Sequence, residues 1–347
     1  MTARIEHFVF TNLGVGISDE RWLLYRLKLF KTITVPSMAA QSCQSFCWTI
    51  FIDQQFPQVF REELQDCLQR WALNVQLVEV MAYDLIQHSI KKILMDSQAE
   101  QVISTRIDDD DALERTVMAR IQAVAAEKGH AGGLVLVELA DGIELLPREL
   151  KYRPCHHPAL ALGLSLVTPH ALRGKFYVNG FAHHLIRDTL AKQGYPVEEV
   201  HLNLGTPAYV YTKHQLSDSY YVGFRSRILD DNSTAALTAP VLAPFGLGLE
   251  AMAHLSQVMA EAPVGMPHKY LAKLGELRRD IRQAQAADPV DQSRLDQLHY
   301  LLHTYASRAC LPNLGKRLAQ GKKIRLAIVG SCVTRDLFEL EPSLGEQ

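Results

Sequence analysis

The chain has 347 residues, 48% of them hydrophobic, which is enough to bury a large core and to build two units or one domain with additions. Its 36 Lys and Arg against 38 Asp and Glu leave a formal charge of -2, which excludes a global pull toward nucleic acid or anionic lipid, so any phosphorylated ligand must be held locally. Cys43, Cys47, Cys67, Cys155, Cys310 and Cys332 lack paired zinc spacing and read as reduced thiols of a cytoplasmic protein, and the longest apolar stretch, Ala159 to Val167, is too short to span a bilayer, leaving at most peripheral contact at the inner membrane face.

The N-terminal third alternates strand and helix signals, which favours βαβ units and a largely parallel sheet flanked by helices. His7 to Thr11 reads as the first strand, and Leu23, Leu27 and Phe30 recur at helical spacing before Pro36. Thr49 to Ile52 is a second strand ending at Asp53. A helix through Phe60, Leu64, Cys67 and Leu68 follows, then a strand at Val75 to Val80 and a helix from Ile86 to Met95. The next strand, Gln101 to Ser104, delivers four consecutive carboxylates, Asp108 to Asp111. Asp53 and Asp108 thus fall at the carboxyl ends of separate strands, on the rim where open α/β sheets bind ligands.

Four adjacent carboxylates repel one another wherever water is partly excluded. A divalent cation, Mg²⁺ or Mn²⁺, removes that penalty, binding one or two carboxylates while substrate phosphates and water complete its shell. The run Asp108 to Asp111 is the expected source of those ligands, and the set of Asp110 with Asp108 or Asp111 follows from the resemblance given below. A second reading keeps the run as a solvated acidic turn capping a helix that begins near Ala112. Arg106 likewise has two readings, a bidentate fork on a phosphate or an internal salt bridge that holds the acidic run. No Asp-x-Asp-x-Asp-Gly spacing supports an EF-hand, and no GxxxxGK[ST] supports a P-loop.

Beyond the run, Val117 to Ala126 reads as a helix, Gly133 to Glu138 as a strand and Asp141-Gly142 as a turn. Residues 150 to 225 are rich in His, Tyr and Pro, with strand-like pieces at Phe176 to Val178 and Ala208 to Tyr211, and such a segment commonly shapes an acceptor pocket. His156, His157, His183 and His184 read as satisfied polar residues. Glu138, Asp141 and Asp188 are equivalent candidates for a general base, and their spacing ranks none of them. Leu271, Leu274, Leu277 and Ile281, then Leu295, Leu298, Leu302 and Tyr305, form two amphipathic helices around Asp288-Pro289, a helical hairpin or a homodimer contact.

The segment TRIDDDDAL resembles the TRLDxDDAL motif of a bacterial rhamnosyltransferase family of nucleotide-sugar glycosyltransferases. The opening WLLYRLKLFKTITVPSMAAQSCQSFCWTIFID is similar to that family's ordered Trp, Arg-Leu, Phe, Pro-Ser, Gln, Phe-x-Trp and Asp. The resemblance spans about residues 5 to 225. It implies a GT-A-like fold, a nucleotide-sugar donor, a glycan or lipid-linked acceptor and no nucleic-acid partner. It also implies that Asp53 contacts the base, that Asp108 faces the ribose, and that His214, matching a late family His, completes the metal or diphosphate site. The family's usual central residue is replaced here by Asp109. Near the end, KKIRLAIVGSCVTRDLF resembles the opening of a GSC-x-x-RD domain of bacterial polysaccharide proteins, with Ser331 or Cys332 at a nucleophile-like turn. The expected division is a glycosyltransferase domain over 1–235, a helical extension over 236–320 and the start of a second α/β domain over 321–347. A non-catalytic module of a polysaccharide assembly system and a metal-dependent nucleotidyl- or phosphotransferase are the alternatives.

Overall fold

The computed structural model describes residues 4–17, 20–81, 83–129, 133–157, 160–214, 233–261, 268–287, 291–299 and 301. The chain divides into two compact units, Met1–Pro263 and Val264–Gln347.

The first unit is built on a seven-stranded sheet in the order β10-β6-β9-β4-β1-β2-β3. Its strands are β1 (Ile5–Leu13), β2 (Cys47–Asp53), β3 (Val75–Val80), β4 (Gln101–Arg106), β6 (Leu134–Leu139), β9 (Ser165–Pro169) and β10 (Val197–Leu202). All run parallel except β9, which lies antiparallel between β4 and β6. This is the mostly parallel α/β sheet expected from the sequence. Its inner strands read as unbroken apolar runs because both faces are covered, as in Leu134–Leu139, where every residue is buried. Helices α3 (Gln58–Arg70), α4 (Asp84–Asp96) and α5 (Val117–Lys128) bury one stripe each. Ile86, Ile90 and Leu94 of α4 meet Phe10, Phe51 and Val102 of the sheet in one cluster.

Helix α1 (Glu20–Leu29) does not stop ahead of Pro36 as its spacing suggests. It continues through a π turn, Phe30–Thr34, into α2 (Val35–Ala39). Pro36 lacks an N–H and crowds the preceding turn, and the widened turn, in which Val35 N–H donates to Phe30 O, accommodates it.

A second sheet of five strands, β12-β8-β7-β11-β5, sits beyond the carboxyl ends. It contains β5 (Ala112–Leu113), β7 (Asp141–Leu146), β8 (Lys151–His156), β11 (Tyr209–Thr212) and β12 (Ala235–Ala236). Three sequence expectations are corrected here. Ala112 does not start a helix; it enters β5, and α5 begins at Val117. Asp141-Gly142 is not a turn but the start of β7, where a Cβ on Gly142 would lie 2.3 Å from the Tyr209 ring, so the glycine serves a close approach. Phe176 to Val178 joins no ladder: Phe176 O accepts from Thr168 Oγ1, Val178 N donates to Ser104 Oγ, and both side chains plug a core under β6 and β9.

The first unit also carries α6 (Ile186–Lys192), a single helical turn at Ala239–Leu242, and α7 (Leu249–Glu261). In the second unit, α8 (His268–Ala286) and a helix over 292–299 pack Ile281 and Ala284 against Leu295 and Leu298, the expected hairpin contact. Leu302, Tyr305 and the segment 321–347, with Ser331 and Cys332, lie outside the described residues. Cys43, Cys47, Cys67 and Cys155 are free thiols. No helix among the described residues is long and apolar enough to cross a membrane.

Candidate functional site

The acidic run leaves the carboxyl end of β4 and divides at once. Asp108, 42% exposed at its side chain, accepts from Arg106 Nε and Nη2 at 3.2 Å each. This is the internal salt bridge of the two readings for Arg106. Asp109, Asp110 and Asp111 turn inward and are buried. The acidic run is therefore not a solvated turn.

What makes that burial tolerable is Arg26, a buried side chain on α1. Its Nε donates to Asp109 Oδ2 at 2.9 Å and its Nη2 to Asp109 Oδ1, a two-pronged pair, while Nη1 reaches Asp110 Oδ2 at 2.8 Å. The Trp22 ring lies 5.4 Å from the guanidinium carbon. Burial works against the charged guanidinium, but Asp109 and Asp110 outweigh it and hold Arg26 firmly protonated. The two acids then separate. Burial pushes Asp109 up to about 6 against the pull of Arg26. Burial pushes Asp110 the same way, yet Arg26 and His214 hold it well below the usual carboxylate range. One cation shared by two acids leaves the one with the extra donor as the ionised partner.

That extra donor arrives from the far side of the domain. His214, just past β11, places Nε2 2.8 Å from Asp110 Oδ2 and the same distance from Arg26 Nη1, and the Tyr25 ring lies 5.5 Å from the imidazole. Burial lowers the His214 pKa, favouring the neutral ring. Asp111 is anchored by Thr212 N–H at 2.8 Å, and burial with its acidic neighbours raises its pKa well above normal. Lys213, 2% exposed, is pushed by burial down to about 8 against Glu144, Asp111 and Asp110.

Of the residues expected at a metal, Asp110 and His214 thus meet, while Asp108 and Asp111 face Arg106 and Thr212. A carboxylate oxygen and an imidazole nitrogen 2.8 Å apart are donor types that Mn²⁺ or Mg²⁺ takes, but Arg26 Nη1 lies 2.8 Å from both atoms and fills the space between them. Among the described residues, the one grouping of three His, Cys, Asp or Glu donors within 4.8 Å is instead Glu138, Glu199 and His201 at the β6–β10 edge. Asp53 lies at the tip of β2, where its Oδ2 accepts from Gly16 N and its Oδ1 from Gln55 N, both at 2.8 Å, so it fastens the loop after β1. The base candidates scatter. Glu138 pairs with His201 at 3.3 Å, Asp141 with His156 at 2.9 Å, and Asp188 on α6 with Arg187 at 3.2 Å. Arg26 falls between Leu23 and Leu27, and helical periodicity alone does not mark it. The available signal was the Arg-Leu pair in the family-like opening.

A family model described as "Putative rhamnosyl transferase" matches residues 15–222, well over half of the chain. The chain belongs to this family. The matched stretch carries every residue of the buried knot, from Arg26 to His214, and membership makes the protein a glycosyltransferase. Among solved structures, TarS 1-349 of S. aureus is 16% identical, with 93% of this chain and 94% of that chain covered and a TM-score of 0.34. A mannosyltransferase from Pyrobaculum calidifontis, solved with GDP-Man and Mn²⁺, is 15% identical over 90% and 88% of the two chains at a TM-score of 0.34. The 4-diphosphocytidyl-2C-methyl-D-erythritol synthase of Anaerococcus prevotii is 13% identical over 57% and 88%, with a TM-score of 0.30. No curated protein sequence matches the chain.

Proposed function

We propose that this family member moves a sugar from a nucleotide-linked donor to a hydroxyl of a glycan or lipid-linked acceptor in bacterial surface polysaccharide synthesis. A lipid-linked acceptor would be met by peripheral contact at the inner membrane face. The observation that carries the reading is the meeting of Asp110 and His214, 104 positions apart, at the carboxyl ends of the parallel strands.

In this reading Asp110 and His214 would hold a divalent ion, Mn²⁺ or Mg²⁺, in the place that Arg26 Nη1 takes here, with Asp108 and Asp111 beside them. Such an ion would supply Lewis-acid stabilisation of the negative charge on the donor's diphosphate. Arg26 keeps Asp110 ionised in a setting that would otherwise protonate it, and would have to give up Asp110 Oδ2 to the ion. Arg106, 31% exposed at the open rim, exchanges Asp108 for a donor phosphate, which frees Asp108 toward the ribose. Asp53 contributes by fixing the loop after β1 against which the base would rest. The family name suggests rhamnose as the sugar.

Thermal shift with UDP, GDP, dTDP and CMP, each with and without MnCl₂, tests this. One diphosphate should stabilise the wild type only when Mn²⁺ is present, by about 2.7 kcal/mol at a hundred times its Kd. Asp110→Asn, which keeps the shape of the site, should abolish that response. Equal stabilisation of Asp110→Asn and wild type, or no shift with any nucleotide, overturns the proposal.

A further inference from the structure

None of the carboxylates that the sequence offered as a base sits next to the knot. A different pair does. Glu144, in the middle of β7, has a side chain with no exposed surface, yet it carries a carboxylate. Arg153, its cross-strand neighbour on β8, donates Nε to Glu144 Oε2 at 2.6 Å. His157, one residue past β8, places Nε2 3.3 Å from the other oxygen, Oε1. The His157 ring is 40% exposed, so one side of this imidazole meets a buried acid and the other meets solvent.

The pair is continuous with the donor site. Glu144 lies opposite Tyr211 in the β7–β11 ladder, and the Tyr211 ring stands edge-on to His157 with centroids 6.4 Å apart. Two residues further along, Lys213 lies over the Tyr211 ring and is under the electrostatic influence of Glu144, Asp111 and Asp110 together. Lys213 thus stands between the Glu144–His157 pair and the acidic run. Resting on the glycosyltransferase reading above, we infer that His157 is the general base of the transfer and that Glu144 is its positioning residue.

The chemistry follows from the geometry. A carboxylate at Nε2 fixes that nitrogen as the proton-bearing one, directs the lone pair of Nδ1 outward, and stabilises the imidazolium once it forms. The acceptor O–H gives its proton to Nδ1. Its oxygen bonds to the anomeric carbon, and the bond from that carbon to the diphosphate oxygen breaks, its electron pair leaving with the diphosphate. Arg153 holds the other Glu144 oxygen, Oε2. The titratable groups against the ring are Glu144 from β7 and Tyr211 from β11, with Arg153 of β8 on the other Glu144 oxygen and Lys213 over the Tyr211 ring.

Hydrolysis of the donor by water reports the same proton transfer without a known acceptor. dTDP-rhamnose, UDP-glucose and GDP-mannose are incubated with the full chain and MnCl₂, and release of the nucleoside diphosphate is followed from pH 5 to 9. On the donor that wild type hydrolyses, His157→Gln should lower kcat at least 100-fold with KM changed less than about twofold, and the acid limb of the pH profile should disappear. Added imidazole should restore part of the rate to His157→Ala. His156→Gln, whose partner is the exposed Asp141, should behave as wild type. Wild-type rate or an unchanged acid limb in His157→Gln overturns the inference while the donor site stands. No nucleotide-dependent thermal shift in wild type, together with no hydrolysis, overturns the donor site and the base with it.

Discussion

Asp108 and Asp109 are neighbours in sequence and opposites in the structure. Asp108 stands half in water with Arg106, a pair in which both side chains keep about a third or more of their exposure. Asp109 is sealed against Arg26 at 7% and 8%. The contrast teaches that an acidic run is not one object. A surface pair is screened and adds little, whereas a buried pair is costly to assemble and far costlier to break, because removing one partner strands the other's charge in a poor solvent.

The hardest blow to the comparison is Arg26→Met. It leaves Asp109 and Asp110 buried without their cation and should cost about 3 to 5 kcal/mol in denaturant unfolding at pH 7. Adding Asp109→Leu should return a substantial part of that loss, since the stranded charge is gone. A loss below about 1 kcal/mol for Arg26→Met would mean that the buried side of the run is no different from the open one.

Lys213 sharpens the comparison through pH. Its folded pKa, about 8, lies below its ordinary 10.5, so between these values the unfolded chain binds more protons than the folded one. Stability contributed by this group therefore rises as pH climbs from 8 to 10.5, by an amount on the order of 3 kcal/mol at most. Comparing wild type with Lys213→Met across that window isolates the term. Parallel curves would show that Lys213 is charged in the fold and hydrated like a surface lysine. The smallest effect belongs to Asp108→Asn, which should shift unfolding by less than about 1 kcal/mol. A larger loss would place Asp108 in the knot with its neighbours.

Much of the first unit was legible before any coordinates. The strand and helix alternation through residue 106 gave β1 to β4 and their covering helices, because apolar period and turn chemistry are local properties. The rim position of Asp53 and Asp108 followed from strand ends alone. Misreadings cluster where a long-range partner decides the role. Gly142 looked like turn material, but the Tyr209 ring from 67 positions away needs its missing Cβ. Phe176 and Val178 alternate like a strand, yet the alternation reflects plugging of a core. His157 looked like a polar loop residue because nothing local reveals that Glu144 is buried against it.

By itself, the order of amino acids determined the α/β class, the acidic run at a strand's carboxyl end, and a family resemblance that names Asp110 and His214. It could do so because period, strand termini and motif spacing are written within short windows. Only the tertiary structure decided which acid meets which cation. Arg26, Asp109 to Asp111, Thr212 and His214 come from three distant segments, and the His214 contact that separates the acidity of Asp110 from that of the equally buried Asp109 exists only once those segments close over one another.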